Sequence, residues 1–398
     1  MKYYIISGEA SGDLHGSNLI KELFKLDKAA KVRCWGGNMM QDAGATLVKH
    51  YRELAFMGFT EVILNLPAIF KNISFCKKDI AGYKPDVLVL IDYPGFNLRI
   101  AEWAHKQGLK IVYYISPQIW AWKETRIHSI KKNVDKMLVI LPFEKAFYAK
   151  WNFEAEYVGH PLMEVIEDFK TQNNTANDKW SIESSENNDQ RTKELITNAF
   201  FTNENNINIP PKIIALLPGS RKQEILKKLP IMLQVAKHFP AYQFVVAKAP
   251  GLTDDFYAEL LFPYKNVGAV VNKTYQLLSA AEAALVTSGT ATLETALFAV
   301  PQIICYKGNN ISYQIARRLI KIKYIGLVNL IMDKEVVKEL IQDELTVENL
   351  VTELNKLLHD DNIREQLKKD YQHLKDLLSA GGHASANAAK SICAMPGV

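Results

Sequence analysis

Two stretches in the second half of the chain share one design, and that design constrains the fold more than any other feature. In Ala215-Leu-Leu-Pro-Gly-Ser-Arg221 the apolar run Ile213–Leu217 reads as a buried strand, ended by Pro218 and Gly219, with a helical pattern from about Glu224. Further on, Ala284-Leu-Val-Thr-Ser-Gly-Thr-Ala-Thr-Leu-Glu294 repeats the order of strand, small-residue turn and helix. A strand-to-helix turn built from small residues lets backbone N–H groups approach a phosphate, and the helix N-terminus favours negative charge. Arg221 adds a planar fork suited to bidentate phosphate binding. Either turn alone is an ordinary connection in an α/β protein. Together they point to a nucleoside diphosphate.

The same rhythm runs through the chain. Strand candidates in the first half are Tyr3–Ile6, Val32–Trp35, Val87–Ile91, Ile111–Ile115 and Met137–Leu141, with helical patterns such as Ser17–Leu26 and Leu98–Gln107 between them. In the second half they are Ile213–Leu217, Phe244–Ala247, Ala269–Val271, Ala284–Thr287 and Ile303–Tyr306, and from Glu335 onward the pattern is polar and helical. Short apolar strands alternating with helices predict parallel, doubly wound sheets. Between the halves, residues 168–211 carry ten Asn from Asn173 to Asn208 and close on Pro210-Pro211, which reads as a polar linker or insertion. The expected organisation is two Rossmann-like domains, 1–167 and 212–375. A helical tail, 376–398, follows, with a return to the N-terminal domain left open. Ligands of such sheets bind outside the carboxyl ends of the strands, so a cleft between two such edges is expected.

Composition narrows the function. The 398 residues are 48% hydrophobic and 23% charged, and the net charge is only +5. That is globular, it gives no field of the size nucleic acid requires, and it suits an anionic substrate or membrane surface. Cys34, Cys76, Cys305 and Cys393 are scattered without a C-x-x-C pair, which fits a reducing, cytoplasmic setting and signals neither zinc nor a disulfide framework. The N-terminus reads as a strand rather than a signal peptide. No apolar run approaches the roughly 20 residues of a spanning helix. No H-E-x-x-H, P-loop lysine motif or D-x-D occurs, so no metal or cofactor is expected.

In the first half, Ser7-Gly-Glu-Ala-Ser-Gly-Asp13 follows the first strand. Its Gly8 and Gly12 permit close approach of a ligand, and the carboxylates of Glu9 and Asp13 suit sugar hydroxyls better than phosphate. The plainer alternative is a helix start capped by Ser11 or Asp13. Asp92 stands at the end of Val87–Ile91, where a general base belongs, and equally where a turn aspartate precedes Pro94-Gly95. Gln118, Trp120 and Trp122 end the next strand as a sugar platform, an acyl-contacting wall or simple aromatic packing. Phe56–Phe70 is the most apolar stretch and is followed by Lys71, Lys77 and Lys78. It suits a membrane interface or an acyl pocket, or else a buried helix. The basic stretch Ile315–Tyr324 suits lipid headgroups, a sugar phosphate or a solvated helix face. His160, in Val158-Gly-His-Pro161, reads as organising a turn rather than as catalytic.

Taken in order, Gly8-Glu-Ala-Ser-Gly-Asp13, Met57-Gly58, Pro85-Asp86-Val87 with Ile91-Asp92, Ser116-Pro117 with Trp120-Ala-Trp122, Leu141-Pro-Phe-Glu-Lys-Ala-Phe147, Gly159-His160, Leu216-Leu-Pro-Gly-Ser-Arg221, Ser288-Gly-Thr-Ala-Thr-Leu-Glu294 and Asn329 make nearly the whole chain resemble the lipid-A-disaccharide synthases, glycosyltransferases of GT-B fold. The resemblance implies an inverting transfer from UDP-2,3-diacylglucosamine to the 6-hydroxyl of 2,3-diacylglucosamine 1-phosphate, giving a β-1,6 disaccharide phosphate and UDP. It implies Asp92 as base, with Arg221, Ser288, Gly289, Thr290 and Asn329 around the diphosphate and Glu294 on the ribose. Gly8, Glu9, Ser11, Gly12, Asp13, Gln118 and Trp120 would meet sugar. Phe56, Met57, Phe59, Ile63, Leu66 and Phe70 would meet acyl chains at the inner-leaflet surface, on a peripheral cytoplasmic enzyme. A homodimer is left open, and no cofactor or metal is implied. Two features depart from the family pattern: the insertion at 168–211 is long, and Gly95 stands where some relatives carry a second acid. The competing readings are another UDP-sugar enzyme of this fold, such as a UDP-N-acetylglucosamine 2-epimerase or a soluble-acceptor transferase, and a non-catalytic nucleotide-sugar or lipid-binding protein.

Overall fold

The computed structural model describes residues 1–53, 66–174, 212–249, 251–308, 313 and 323–395. The chain divides into two compact units, Met1–Val165 with Leu377–Val398, and Ile166–Asp376.

The first unit is built on seven parallel strands: β1 (Lys2–Ser7), β2 (Lys31–Gly36), β3 (Thr46–His50), β4 (Val87–Ile91), β5 (Lys110–Tyr114), β6 (Lys136–Val139) and β7 (Ala155–Tyr157). Their order across the sheet is β3-β2-β1-β4-β5-β6-β7. Alternate residues of each strand feed opposite faces. Tyr4, Ile6, Leu88, Leu90, Ile111 and Tyr113 enter one buried cluster, and Tyr3, Ile5, Val87, Val89, Val112 and Tyr114 the other. Burial on both faces is why these strands read as unbroken apolar runs. The second face is covered by the helix Ala10–Leu26 and by the C-terminal helix Ala384–Cys393, whose Ala388, Ala389 and Ile392 lie in the same cluster. Glu164 fixes the start of that C-terminal helix by accepting from the backbone N–H of Ser385, 2.8 Å, and its hydroxyl, 2.7 Å.

The second unit carries six parallel strands: β8 (Lys212–Leu217), β9 (Tyr242–Lys248), β10 (Val267–Val271), β11 (Ala281–Thr287), β12 (Gln302–Tyr306) and β13 (Lys338–Ile341). They lie in the order β10-β9-β8-β11-β12-β13. The wholly helical course expected after Glu335 is therefore corrected: Lys338–Ile341 adds an edge strand to β12 before the helices Val347–His359 and Asp361–Ser379 begin. Lys, Glu and Leu are good helix formers, but intrinsic propensity is small per residue, and pairing against a formed sheet overrides it.

Both sheets reverse strand order once, between β1 and β4 in the first unit and between β8 and β11 in the second. In doubly wound sheets the crevice at the carboxyl ends of those two strands receives the ligand. The turns singled out in the sequence fall there: Gly8-Glu9 and Asp92-Tyr93 in one unit, Pro218–Arg221 and Ser288–Thr290 in the other. Among the described residues, no helix is long and apolar enough to cross a membrane.

Candidate active site

In the first unit β1 and β4 end side by side, with Ser7 opposite Ile91. The chain then leaves β4 through two consecutive non-glycine residues in the left-handed region, Asp92 at φ 42° and Tyr93 at φ 48°. Next to them Ile115, at the end of β5, has φ 64° and accepts the Asp92 N–H at 3.2 Å. Such residues cost on the order of 1–3 kcal/mol each and persist only where neighbours over-determine them. Here the Asp92 carbonyl accepts from Asn97 Nδ2 at 2.8 Å and from the Tyr113 hydroxyl at 2.6 Å. Asn97 also reaches the Ile91 carbonyl, 3.1 Å away, so one buried amide holds the whole corner. The Tyr93 ring lies directly over Gly8: a Cβ there would sit 2.4 Å from the ring.

This corner sets the chemistry of Asp92. Burial first, and the nearby Glu9 carboxylate second, push its carboxyl up to about 6, against one opposing hydrogen bond from the Tyr93 backbone. A carboxylate titrating just below neutral can accept a proton from a hydroxyl in a partly dry site.

Other residues of the glycine-rich turn behave differently. Asp13 is buried, and its carboxylate accepts from the backbone N–H groups of Gly37, 2.8 Å, Met40, 3.0 Å, and Met39, 3.2 Å. The expectation that Asp13 meets a sugar hydroxyl is corrected: it caps the helix Asn38–Asp42, a use of a helix N-terminus that its position in the sequence did not reveal. Gly12 is buried, and a Cβ on it would sit 2.9 Å from the Ser7 side chain, so it serves close packing of helix on strand rather than a ligand. Ser11 is exposed and Glu9 half-buried at the start of Ala10–Leu26.

After β5, Gln118 is exposed and Trp120 half-buried. The Trp120 indole N–H donates to Glu144 Oε1 at 3.1 Å, and its ring meets Phe143 edge-on at 5.0 Å. Glu144 also accepts from the Leu141 N–H at 3.0 Å, and burial pushes its carboxyl up to about 7. Sequence reasoning quoted Glu144 within a motif but gave it no role; it holds the short helix Ile119–Trp122 through the Trp120 indole. His160 is buried, and its Nδ1 accepts from the Leu162 N–H at 3.2 Å, which organises the turn into Pro161–Asn174.

The second unit's corner carries positive charge. Gly219, at φ 108°, closes β8, and a Cβ there would lie 3.2 Å from the Thr287 methyl and 3.3 Å from Glu224 Oε2. Arg221 precedes the helix Lys222–Val235 and stays half-exposed, with Nη1 3.3 Å from Glu224 Oε1. Beside it, β11 ends in Thr287. Ser288 donates its hydroxyl to the Ile325 carbonyl at 3.0 Å, and Gly289, at φ 145°, leads into Thr290–Leu297. Gly289 and Thr290 are exposed. Glu294 is half-buried and accepts from the Tyr275 hydroxyl at 3.1 Å; burial pushes its carboxyl up. Tyr275 was not foreseen.

Asn329 does not join this corner. It is fully buried; its amide donates to the Val337 carbonyl, 2.8 Å, and Glu339, 2.9 Å, and its oxygen accepts from the N–H groups of Val336, 2.8 Å, and Val337, 2.9 Å. The expectation of a diphosphate contact is corrected: every polar atom of that side chain is spent on the turn before β13. Of the acyl-contact candidates, Phe56, Met57, Phe59 and Ile63 and the side chain of Leu66 lie outside the described residues, as does most of Arg317–Lys323. Phe70 is 56% exposed on the helix Leu66–Tyr83. Among the described residues no group of three or more His, Cys, Asp or Glu is placed to hold a metal ion.

The family described as lipid-A-disaccharide synthetase matches residues 3–188 and 188–393. The lipid-A-disaccharide synthase of Geobacter metallireducens is 36% identical over 383 residues, covering 95% of this chain and 93% of that one. That of Coxiella burnetii is 36% identical over 392 residues, covering 98% and 96%. The chain belongs to the lipid-A-disaccharide synthase family. It is a glycosyltransferase, and its fold is shared with solved structures of low identity. A UDP-GlcNAc 2-epimerase from Neisseria meningitidis, solved bound to UDP-GlcNAc, aligns with a TM-score of 0.64 at 13% identity over 99% of both chains. The glycotransferase of kitacinnamycin aligns with 0.62 at 13% identity over 98% of both. At such identity these two speak for the GT-B fold alone, so the epimerase alternative has no support beyond architecture.

Proposed function

We propose that this chain transfers 2,3-diacylglucosamine from UDP to the 6-hydroxyl of 2,3-diacylglucosamine 1-phosphate, with inversion at the anomeric carbon. The observation that carries the reading is Asp92, held on a strained corner at the switch point of the first sheet with its carboxyl pushed up to about 6. Asp92 takes the proton of the acceptor hydroxyl as that oxygen bonds the anomeric carbon. The bond from that carbon to the diphosphate breaks, and UDP leaves with the electron pair. General-base help of this kind is worth typically about 10²–10⁴-fold. Glu9, the exposed Gln118 and the half-buried Trp120 suit a sugar. In the second unit Arg221 and the donors of Ser288–Thr290 receive the growing charge on the diphosphate, in the role a metal ion plays elsewhere. Glu294, oriented by Tyr275, accepts from the ribose hydroxyls. The apolar stretch that includes Phe70, with Lys71, Lys77 and Lys78 after it, receives acyl chains at an anionic membrane surface.

Incubation with the diacylated UDP-sugar and the monosaccharide phosphate should yield disaccharide phosphate and UDP in equal amounts, and Asp92→Asn should abolish this while UDP still binds. Near wild-type turnover in that variant would remove Asp92 as the base. Release of UDP without disaccharide would remove the proposed acceptor.

A further inference from the structure

The diphosphate corner rests on a charged network that the turn residues themselves do not require. Lys228 is 3% exposed, deep in the helix Lys222–Val235. Its ammonium donates to the Thr287 hydroxyl and lies 3.7 Å from Glu224 Oε2. The other Glu224 oxygen lies 3.3 Å from Arg221 Nη1. Thr287, Lys228, Glu224 and Arg221 thus form one chain of contacts that joins the ends of β8 and β11. A Cβ on Gly219 would lie 3.3 Å from Glu224 Oε2 and 3.9 Å from Lys228 Nζ, so both groups sit against the inner side of the turn.

Burial lowers the pKa of Lys228, and the Glu224 carboxylate opposes it. Replacing a buried ion pair by apolar side chains of similar volume is often neutral or stabilising, so such a pair is weak evidence of a role in stability. What Lys228 adds to this corner is charge. Arg221 and Lys228 against Glu224 leave the corner one positive charge in excess. Without Lys228, Arg221 and Glu224 cancel, and Glu224 both holds the arginine and repels an arriving phosphate.

We propose that Lys228 is a positioning residue for the nucleoside diphosphate: it keeps Glu224 neutralised from behind, so that Arg221 is free to leave Glu224 for the phosphates. This rests on the reading of Gly219–Arg221 and Ser288–Thr290 as the diphosphate corner. Reciprocal coupling follows directly, because Glu224 and the ligand compete for one guanidinium.

The test is calorimetric titration of the full-length protein with UDP and, separately, with uridine, which lacks the phosphates. Lys228→Met should weaken UDP binding at least about tenfold, the scale of one charge-assisted contact, and leave uridine unchanged. Lys228→Arg should retain most of the affinity. Lys228→Met with Glu224→Gln should recover most of it, because the uncompensated carboxylate is gone and the corner is again singly positive. If Lys228→Met lowers UDP and uridine binding alike and the double variant does not recover, Lys228 is only a packing residue and the proposal fails. It fails too if Lys228→Met binds UDP as wild type does while Arg221→Ala weakens it. Unchanged UDP affinity in Arg221→Ala would instead sink the diphosphate reading itself, and this inference with it. Should Lys228→Met not fold, Glu224→Gln alone decides: UDP binding should tighten several-fold, and an unchanged or weaker affinity overturns the competition.

Discussion

Removing the charge of Glu9 while keeping its shape probes the corner proposed to make Asp92 a base. A free aspartate titrates near 3.9, and Asp92 is pushed up to about 6, with burial the larger cause and the Glu9 carboxylate the next. Glu9 is the second cause of a rise of roughly two pH units, so Glu9→Gln should lower the Asp92 value by part of that rise, back toward that of a free aspartate. The base works ionised, so kcat/KM falls as pH drops through its pKa, and the acid limb should move to lower pH by that amount. The assay is disaccharide formation at subsaturating acceptor between pH 4.5 and 8, with UDP release followed in parallel. Glu9 is also proposed to meet sugar hydroxyls, so the plateau rate is expected to fall; the position of the limb, not its height, carries the inference. A limb that stays at its wild-type pH would show that Asp92 does not feel Glu9. A limb that moves upward would show that Glu9 stabilises the ionised form, against the sign argued above.

The same raised carboxyl bears on stability. Its proton is held more tightly in the folded protein than in the unfolded chain, so stability declines as pH rises from about 4 through 6 and is level above. Asp92→Asn should therefore raise the melting temperature at pH 8, by up to about 3 kcal/mol in stability, and change little at pH 4; an equal effect at both would refute the linkage. Arg221→Ala should weaken UDP binding by about 1.5–3 kcal/mol in a calorimetric titration, while EDTA leaves the rate unchanged; a loss restored by magnesium would contradict the fixed-donor reading. Asn329→Ala should lower the melting temperature, by about 1–3 kcal/mol for each polar group left unpaired, and leave UDP affinity of the folded fraction intact; lost affinity in a stable variant would return Asn329 to the site.

The doubly wound architecture was legible because its central strands are buried on both faces, and such strands cannot avoid long apolar runs. Val87–Ile91 was drawn with the bounds it has, and Ile213–Leu217 missed only the exposed Lys212. The strands that went unread are at sheet edges: Thr46–His50 is only partly buried, Ala155–Tyr157 is three residues long, and Lys338–Ile341 carries two charges. Apolar pattern fades where one flank is open. At the candidate site, the sequence located the strand ends but not what each polar side chain does there. Asp13 looked like a ligand group because a polar residue near a turn looks the same whether it meets a sugar or a backbone N–H, and Asn329 was placed at the diphosphate by the family resemblance alone. Glu224 and Lys228, four apart on a helix, have the spacing of an ordinary solvated pair. Only the depth of Lys228 sets them apart, and depth is a property of the fold.

The last helix of the chain has a bearing on how the protein is made. Ala384–Cys393 closes the sheet face that carries Tyr3, Ile5, Val87 and Val89, yet it leaves the ribosome after the whole of Ile166–Asp376. At ordinary synthesis rates of about 5–20 residues per second, that face waits tens of seconds for its cover. During this interval the nascent first unit exposes apolar surface of the kind chaperones hold. A stop codon just before Ala384 would make that exposure permanent, turning a chain whose proposed site residues are all encoded upstream into a substrate for proteolysis.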